Sequence, residues 1–158
     1  MNAEHGSSFT RRPHPSPVAA NVRATLLEDP GFGRVFTDHM ATIRWTEGDG
    51  WRDAEIRPRE PFLLDPAAAV LHYAQEIFEG LKAYRLSDGG VCLFRPEQNA
   101  RRFQASAARL AMPVLPEAAF LRSIEELIKA DVEWVPGGEG SLYLRPFMFA
   151  AEPFLVDA

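Results

Sequence analysis

The stretch LHYAQEIFEGLKAYR (residues 71–85), followed by LFRPEQNARRF (residues 93–103), decides how this chain is read. It interleaves aromatic rings with Arg, Lys and Glu, where an ordinary core element would be uniformly apolar on its buried side. Such mixing suits a pocket that grips an anionic group beside an apolar substrate side chain. Within it, GLKAYR (80–85) and GVCLFR (90–95) flank SDGG (87–90), the signature of a β-hairpin.

Working outward, PAAAVLHYA (66–74) reads as a short helix, with Asp65 as cap and Pro66 in the first turn. Pro96 starts a helix through about Ala111, with an apolar stripe at Phe103, Ala107 and Leu110. Pro116 starts another, to about Trp134, with Phe120, Ile124, Leu127 and Ile128 on one face. Upstream, residues 35–45 and 51–58 read as two strands paired across the turn EGDG (47–50). Downstream, PGGEG (136–140) releases the chain into a final strand, SLYLRPFMFAA (141–151). Residues 1–28, rich in Pro, Ser and Ala, are expected to be a flexible arm ordered only near residues 22–27, and residues 29–158 one domain. The expected fold class is α+β: a mainly antiparallel sheet with helices on one side.

Composition bounds the function. A net charge of −5 and a pI near 5.4 argue against nucleic-acid binding, which needs a basic excess. Cys92 is the single cysteine, so no intrachain disulfide can form. Residues 1–16 do not read as a signal peptide, and no apolar run approaches the ~20 residues that cross a bilayer. A cytoplasmic protein without membrane contact is expected. The four histidines are scattered, so no metal spacing is read, and Ser106 and Cys92 have no base in motif spacing that would suggest a nucleophile.

Two arginines stand out. Arg101 has Glu97 four residues upstream as an ordinary helix-surface partner. Arg102 has Gln98, Asn99, Ala105 and Ser106 at the equivalent positions, which leaves its guanidinium unpaired, either as a solvated surface arginine or as a fork for an external anion. On the final strand, alternation places Tyr143, Arg145, Phe147 and Phe149 on one face. A charge flanked by rings there is costly unless paired, and the alternative is an edge arginine beside Pro146 reaching solvent. Phe32, Tyr73 and Phe78 are read either as core residues or as pocket walls.

Taken together, FTDHM, EPFLLDPAAAVLHYAQEIFEGLKAYR, LFRPEQNARRF, SAARLAMP, DVEWVP and SLYLRP resemble, in order and spacing, the small N-terminal domain of branched-chain amino-acid aminotransferases. These are pyridoxal 5'-phosphate enzymes of fold type IV. The resemblance implies that Arg102 binds the cofactor phosphate. It implies a substrate pocket lined by Phe32, Tyr73, Phe78 and Tyr143, with Arg145 receiving the side-chain carboxylate of glutamate. The implied partners are branched-chain amino acids and 2-oxo acids, and the implied assembly of the complete enzyme is a homodimer. The family's Schiff-base lysine lies in a larger C-terminal domain, so neither Lys82 nor Lys129 is read as catalytic. The expectation is a fragment with that domain missing, inactive alone. A non-catalytic dimerising or regulatory module of the same fold, and another fold-type-IV aminotransferase or lyase, stay open as alternatives.

Overall fold

The computed structural model describes residues 8–155. The expected arm carries elements within this range: strand β1 (Thr10–Arg11) and helix α1 (Ala20–Glu28); its first seven residues lie outside the described part. Strands β2 (His39–Thr46) and β3 (Gly50–Pro58) form the expected antiparallel hairpin, and β1 adds to β3 in parallel. The remainder comprises α2 (Ala69–Tyr73), β4 (Glu76–Phe78), β5 (Leu81–Arg85), β6 (Val91–Leu93), α3 (Pro96–Arg109), α4 (Glu117–Ala130), a 3₁₀ turn (Val132–Trp134), β7 (Leu142–Leu144) and β8 (Phe147–Phe149). Three small sheets result, ordered β1-β3-β2, β4-β8 and β6-β5-β7. Among the described residues all strand pairs but β1–β3 are antiparallel, in keeping with an α+β class.

The core lies between the β5 sheet and the two long helices. Leu81, Ala83 and Leu144 face Ala100, Phe103 and Ala107 of α3 and Phe120, Ile124 and Ile128 of α4. Phe103 and Phe120 tilt against each other at 5.3 Å between centroids. The two fully covered alanines of α3 leave no bulk between helix and sheet, so the helix lies close to it. Leu110 departs from the expected stripe and is exposed. Helix α3 ends at Arg109, and Ala111 turns left-handed at φ 54°, which carries Met112 into the core in its place.

Two boundaries differ from expectation. Asp65 does not cap α2: its Oδ1 accepts from the Ala67 amide (2.8 Å), a local turn that delays the helix to Ala69. The final strand is broken at Arg145-Pro146, β7 pairing with β5 and β8 with β4. The register is nonetheless continuous: Leu81 opposes Leu144 and Phe78 opposes Phe147. The Glu79 amide donates to the Pro146 carbonyl (2.8 Å), but proline has no N–H to return. One antiparallel ladder is thus interrupted at Glu79-Gly80 and Arg145-Pro146.

The segment ahead of β2 is tied down by two buried carboxylates. Asp38 accepts from the Val18 amide (3.0 Å) and the Trp134 indole (2.8 Å). Asp131 accepts from the His39 amide (2.9 Å) and lies 2.6 Å from its Nδ1. Backbone donors that water would otherwise satisfy are thereby paired inside the protein.

Candidate anion and apolar-substrate site

The break in the ladder is where the candidate residues gather. Period-two alternation puts Ile77, Leu81 and Ala83 toward the helices and Phe78, Gly80, Lys82 and Tyr84 on the opposite face. Tyr143 opposes Lys82, so its ring reaches Gly80 as a diagonal neighbour. A β-carbon on residue 80 would stand 2.2 Å from the Tyr143 hydroxyl, so any larger residue there must displace the Tyr143 ring.

Arg145 follows on the same face. Its Nε and Nη2 donate to the Tyr143 hydroxyl (3.2 and 2.9 Å), and its guanidinium lies 4.4 Å from the Phe78 ring centre. Phe32 meets Tyr143 edge-on at 5.2 Å. The structure therefore brings together Phe32, Phe78, Tyr143 and Arg145 from three separate parts of the chain. Phe32 and Phe78 remain 73% and 62% exposed, which makes them an open wall and not core. Tyr73, at the end of α2, has ring contacts with His72 and Phe154. A ring-walled surface crossed by one guanidinium suits ligands with an apolar body, and the guanidinium can take a carboxylate.

On the helix side of the same break sits Arg102, and the expectation of a free guanidinium is corrected. Its Nε and Nη2 donate to Glu79 Oε1 and Oε2 at 2.9 and 2.8 Å. Asn99 Nδ2 donates to the same carboxylate (2.9 Å) and to the Gly80 carbonyl (3.1 Å). The partner lies 23 residues away in sequence, beyond the reach of helix-spacing arguments. Arg101 likewise passes over Glu97 and meets Glu117 of α4 at 3.6 Å. Burial alone would raise the Glu79 carboxyl, but hydrogen bonds from Arg102 and Asn99 and the charge of Arg102 hold it below the usual glutamate range. Glu79 in turn raises Arg102.

Beside this pair lies an open cleft of about 450 Å³, whose donors come from Lys82, Arg95, Gln98, Asn99 and Arg102. Tyr84 and Phe94 add ring faces, and no carboxylate lines the cleft. Three cations line it, of which Arg102 is already paired with Glu79 just outside the lining. Lys129, by contrast, pairs with Glu126 (2.9 Å) on the surface of α4. Sequence reading missed Glu79 and Asn99. The available signal was Asn99 and Arg102 three apart on one helix face, aimed together at one carboxylate.

No family model matches the chain. Individual relatives do. A probable branched-chain-amino-acid aminotransferase of Streptomyces coelicolor is 59% identical over 143 residues, which is 89% of this chain and 40% of that protein. The branched-chain-amino-acid aminotransferase of Mycolicibacterium smegmatis is 54% identical over 149 residues, 93% of this chain and 40% of its own length. Among solved structures, a branched-chain amino acid aminotransferase of T.th., complexed with N-(5'-phosphopyridoxyl)-L-glutamate, superposes with a TM-score of 0.51 at 26% identity. That match covers 71% of this chain and 34% of the other. The chain thus spans about 40% of the length of the curated relatives it matches. With an α+β fold and this degree of identity, the chain is similar over most of its own length to part of these branched-chain aminotransferases.

Proposed function

We propose that this chain forms one wall of the active site of a pyridoxal-phosphate-dependent enzyme that moves the amino group of leucine, isoleucine or valine to 2-oxoglutarate. In its complete form it works as a cytoplasmic homodimer. The observation that carries the reading is the meeting, at one break in the sheet, of a ring-walled surface crossed by Arg145 and a cationic cleft beside Arg102.

Phe32, Phe78 and Tyr143 wall an apolar side chain, and Tyr73, held by His72 and Phe154, is assigned to the same pocket on the resemblance. Such a wall selects by shape, at roughly 1–3 kcal/mol per methylene. Arg145, braced between the Tyr143 hydroxyl and the Phe78 ring, receives the second carboxylate when glutamate or 2-oxoglutarate takes the same place. One pocket thereby accepts both an apolar and an acidic partner. The cleft donors fit a phosphate monoester, and Arg102 is the residue we assign to it. Bound pyridoxal phosphate supplies the carbonyl that exchanges the amino group and a conjugated ring that accepts electrons. The residues of this chain orient that group and the substrate. The resemblance places the family's Schiff-base lysine in its larger C-terminal domain, at neither Lys82 nor Lys129, so no turnover is expected from the isolated chain with leucine, 2-oxoglutarate and cofactor.

The test is a chimera joining this chain to the remainder of the Streptomyces coelicolor relative. Transfer from leucine to 2-oxoglutarate is expected, and its absence in a folded chimera would sink the reading. Arg145→Ala in the chimera should weaken the half-reaction with 2-oxoglutarate by ~10²-fold, the loss of a charge-assisted pair, and spare the leucine half-reaction. Equal losses in both would remove Arg145 from its assigned role.

A further inference from the structure

We propose that Glu79 is the positioning residue of the anion site: it fixes the Arg102 fork so that the outer edge of the guanidinium faces the cleft. The inference rests on the reading of Arg102 as a phosphate ligand, and it adds the residue that aims it.

The geometry has a direction. Asn99 is buried, and its side-chain amide holds both the Glu79 carboxylate and the Gly80 carbonyl. Glu79 is only 11% exposed at its side chain, and its backbone amide is fixed on the Pro146 carbonyl. Arg102, 59% exposed at its side chain, is held in turn through Nε and Nη2 by both carboxylate oxygens. Order therefore passes from the buried amide through the half-hidden carboxylate to the exposed cation. A guanidinium has five N–H donors, and this pairing uses two. Both Nη1 hydrogens and the outer Nη2 hydrogen remain, an edge able to take a second anion in the same two-pronged manner.

A neighbouring carboxylate could instead compete with the phosphate for Arg102. The arrangement argues otherwise, because Glu79 takes the Nε edge and is absent from the cleft lining, whereas Arg102 and Asn99 line it. Without Glu79, the long side chain of Arg102 recovers rotamer freedom that phosphate binding must then remove.

Two measurements on the whole chain test this. The first is exchange of the Arg102 Nε–H with water, followed by NMR. Protection is expected in the unsubstituted chain and its loss in Glu79→Gln; equal exchange in both overturns the proposal. The second compares pyridoxamine 5'-phosphate with pyridoxamine, which isolates the contribution of the phosphate. Glu79→Gln should reduce that preference about tenfold. Glu79→Asp keeps the charge but withdraws the carboxylate by one methylene, and it should lose preference as well if aim is what matters. Tighter phosphate binding in either variant would mark Glu79 as a competitor and overturn the proposal. Absence of any phosphate preference in the unsubstituted chain would instead sink the cofactor reading, while the exchange measurement still reports on the Glu79–Arg102 pair.

Discussion

Gly80 shows how much one missing side chain decides. The Tyr143 hydroxyl occupies the space of the β-carbon that residue 80 lacks, and that hydroxyl is the acceptor for Arg145. Gly80→Ala should displace the Tyr143 ring and cost about 1–3 kcal/mol, the usual range for overpacking. Urea unfolding measures this, and the cost should shrink in a Tyr143→Phe background, where the closest clashing atom is gone. Equal costs in the two backgrounds would show that the strain lies elsewhere. At the same scale, Arg102 illustrates a limit of local reading. Its helix neighbours carry no charge to pair with, yet the carboxylate it holds comes from the loop between β4 and β5.

At the scale of elements, the hairpins and long helices were legible because each is set by local rules. Turn residues mark 47–50 and 87–90, and prolines mark the starts of α3 and α4. The last strand was legible in its alternation but not in its division. Pro146 withholds one N–H from the ladder, and the two halves then settle in different sheets. A second tie escaped the sequence altogether. Arg85, at the end of β5, donates to the carbonyls of Val135 (3.0 Å) and Gly89 (3.2 Å) and to that of Val132. It thus clamps the hairpin to the 3₁₀ turn after α4. Arg85→Ala should destabilise the fold by about 1.5–3 kcal/mol, since it removes charged donors from partly buried carbonyls. Thermal or urea unfolding against Arg109→Ala, a change on the surface of α3, provides the comparison.

For the molecule as a whole, the ion pair at the sheet break predicts a pH dependence. The folded-state value of Glu79 is lowered, so its contribution to stability is complete above the unfolded value of about 4.3 and is lost as pH falls through the lower folded value. Unfolding midpoints measured from pH 7 down to pH 3 should fall less steeply in Glu79→Gln than in the unsubstituted chain. Parallel curves would mean that other carboxylates govern acid unfolding. Glu126, lowered chiefly by Lys129, adds little because the pair is open to solvent. Among the described residues no helix is long and apolar enough to cross a membrane.

By itself, the amino-acid sequence determined the α+β class, the order of the long helices and hairpins, and the resemblance to branched-chain aminotransferases, because periodicity, turn chemistry and extended motifs are all written along the chain. Only the tertiary structure decided that Arg102 is shared with Glu79, that Asn99 stands behind both, and that Tyr143 rests on Gly80. Those contacts join residues about 20 to 60 positions apart, and pairing at that distance is set by how the sheet and α3 pack, which no local pattern encodes.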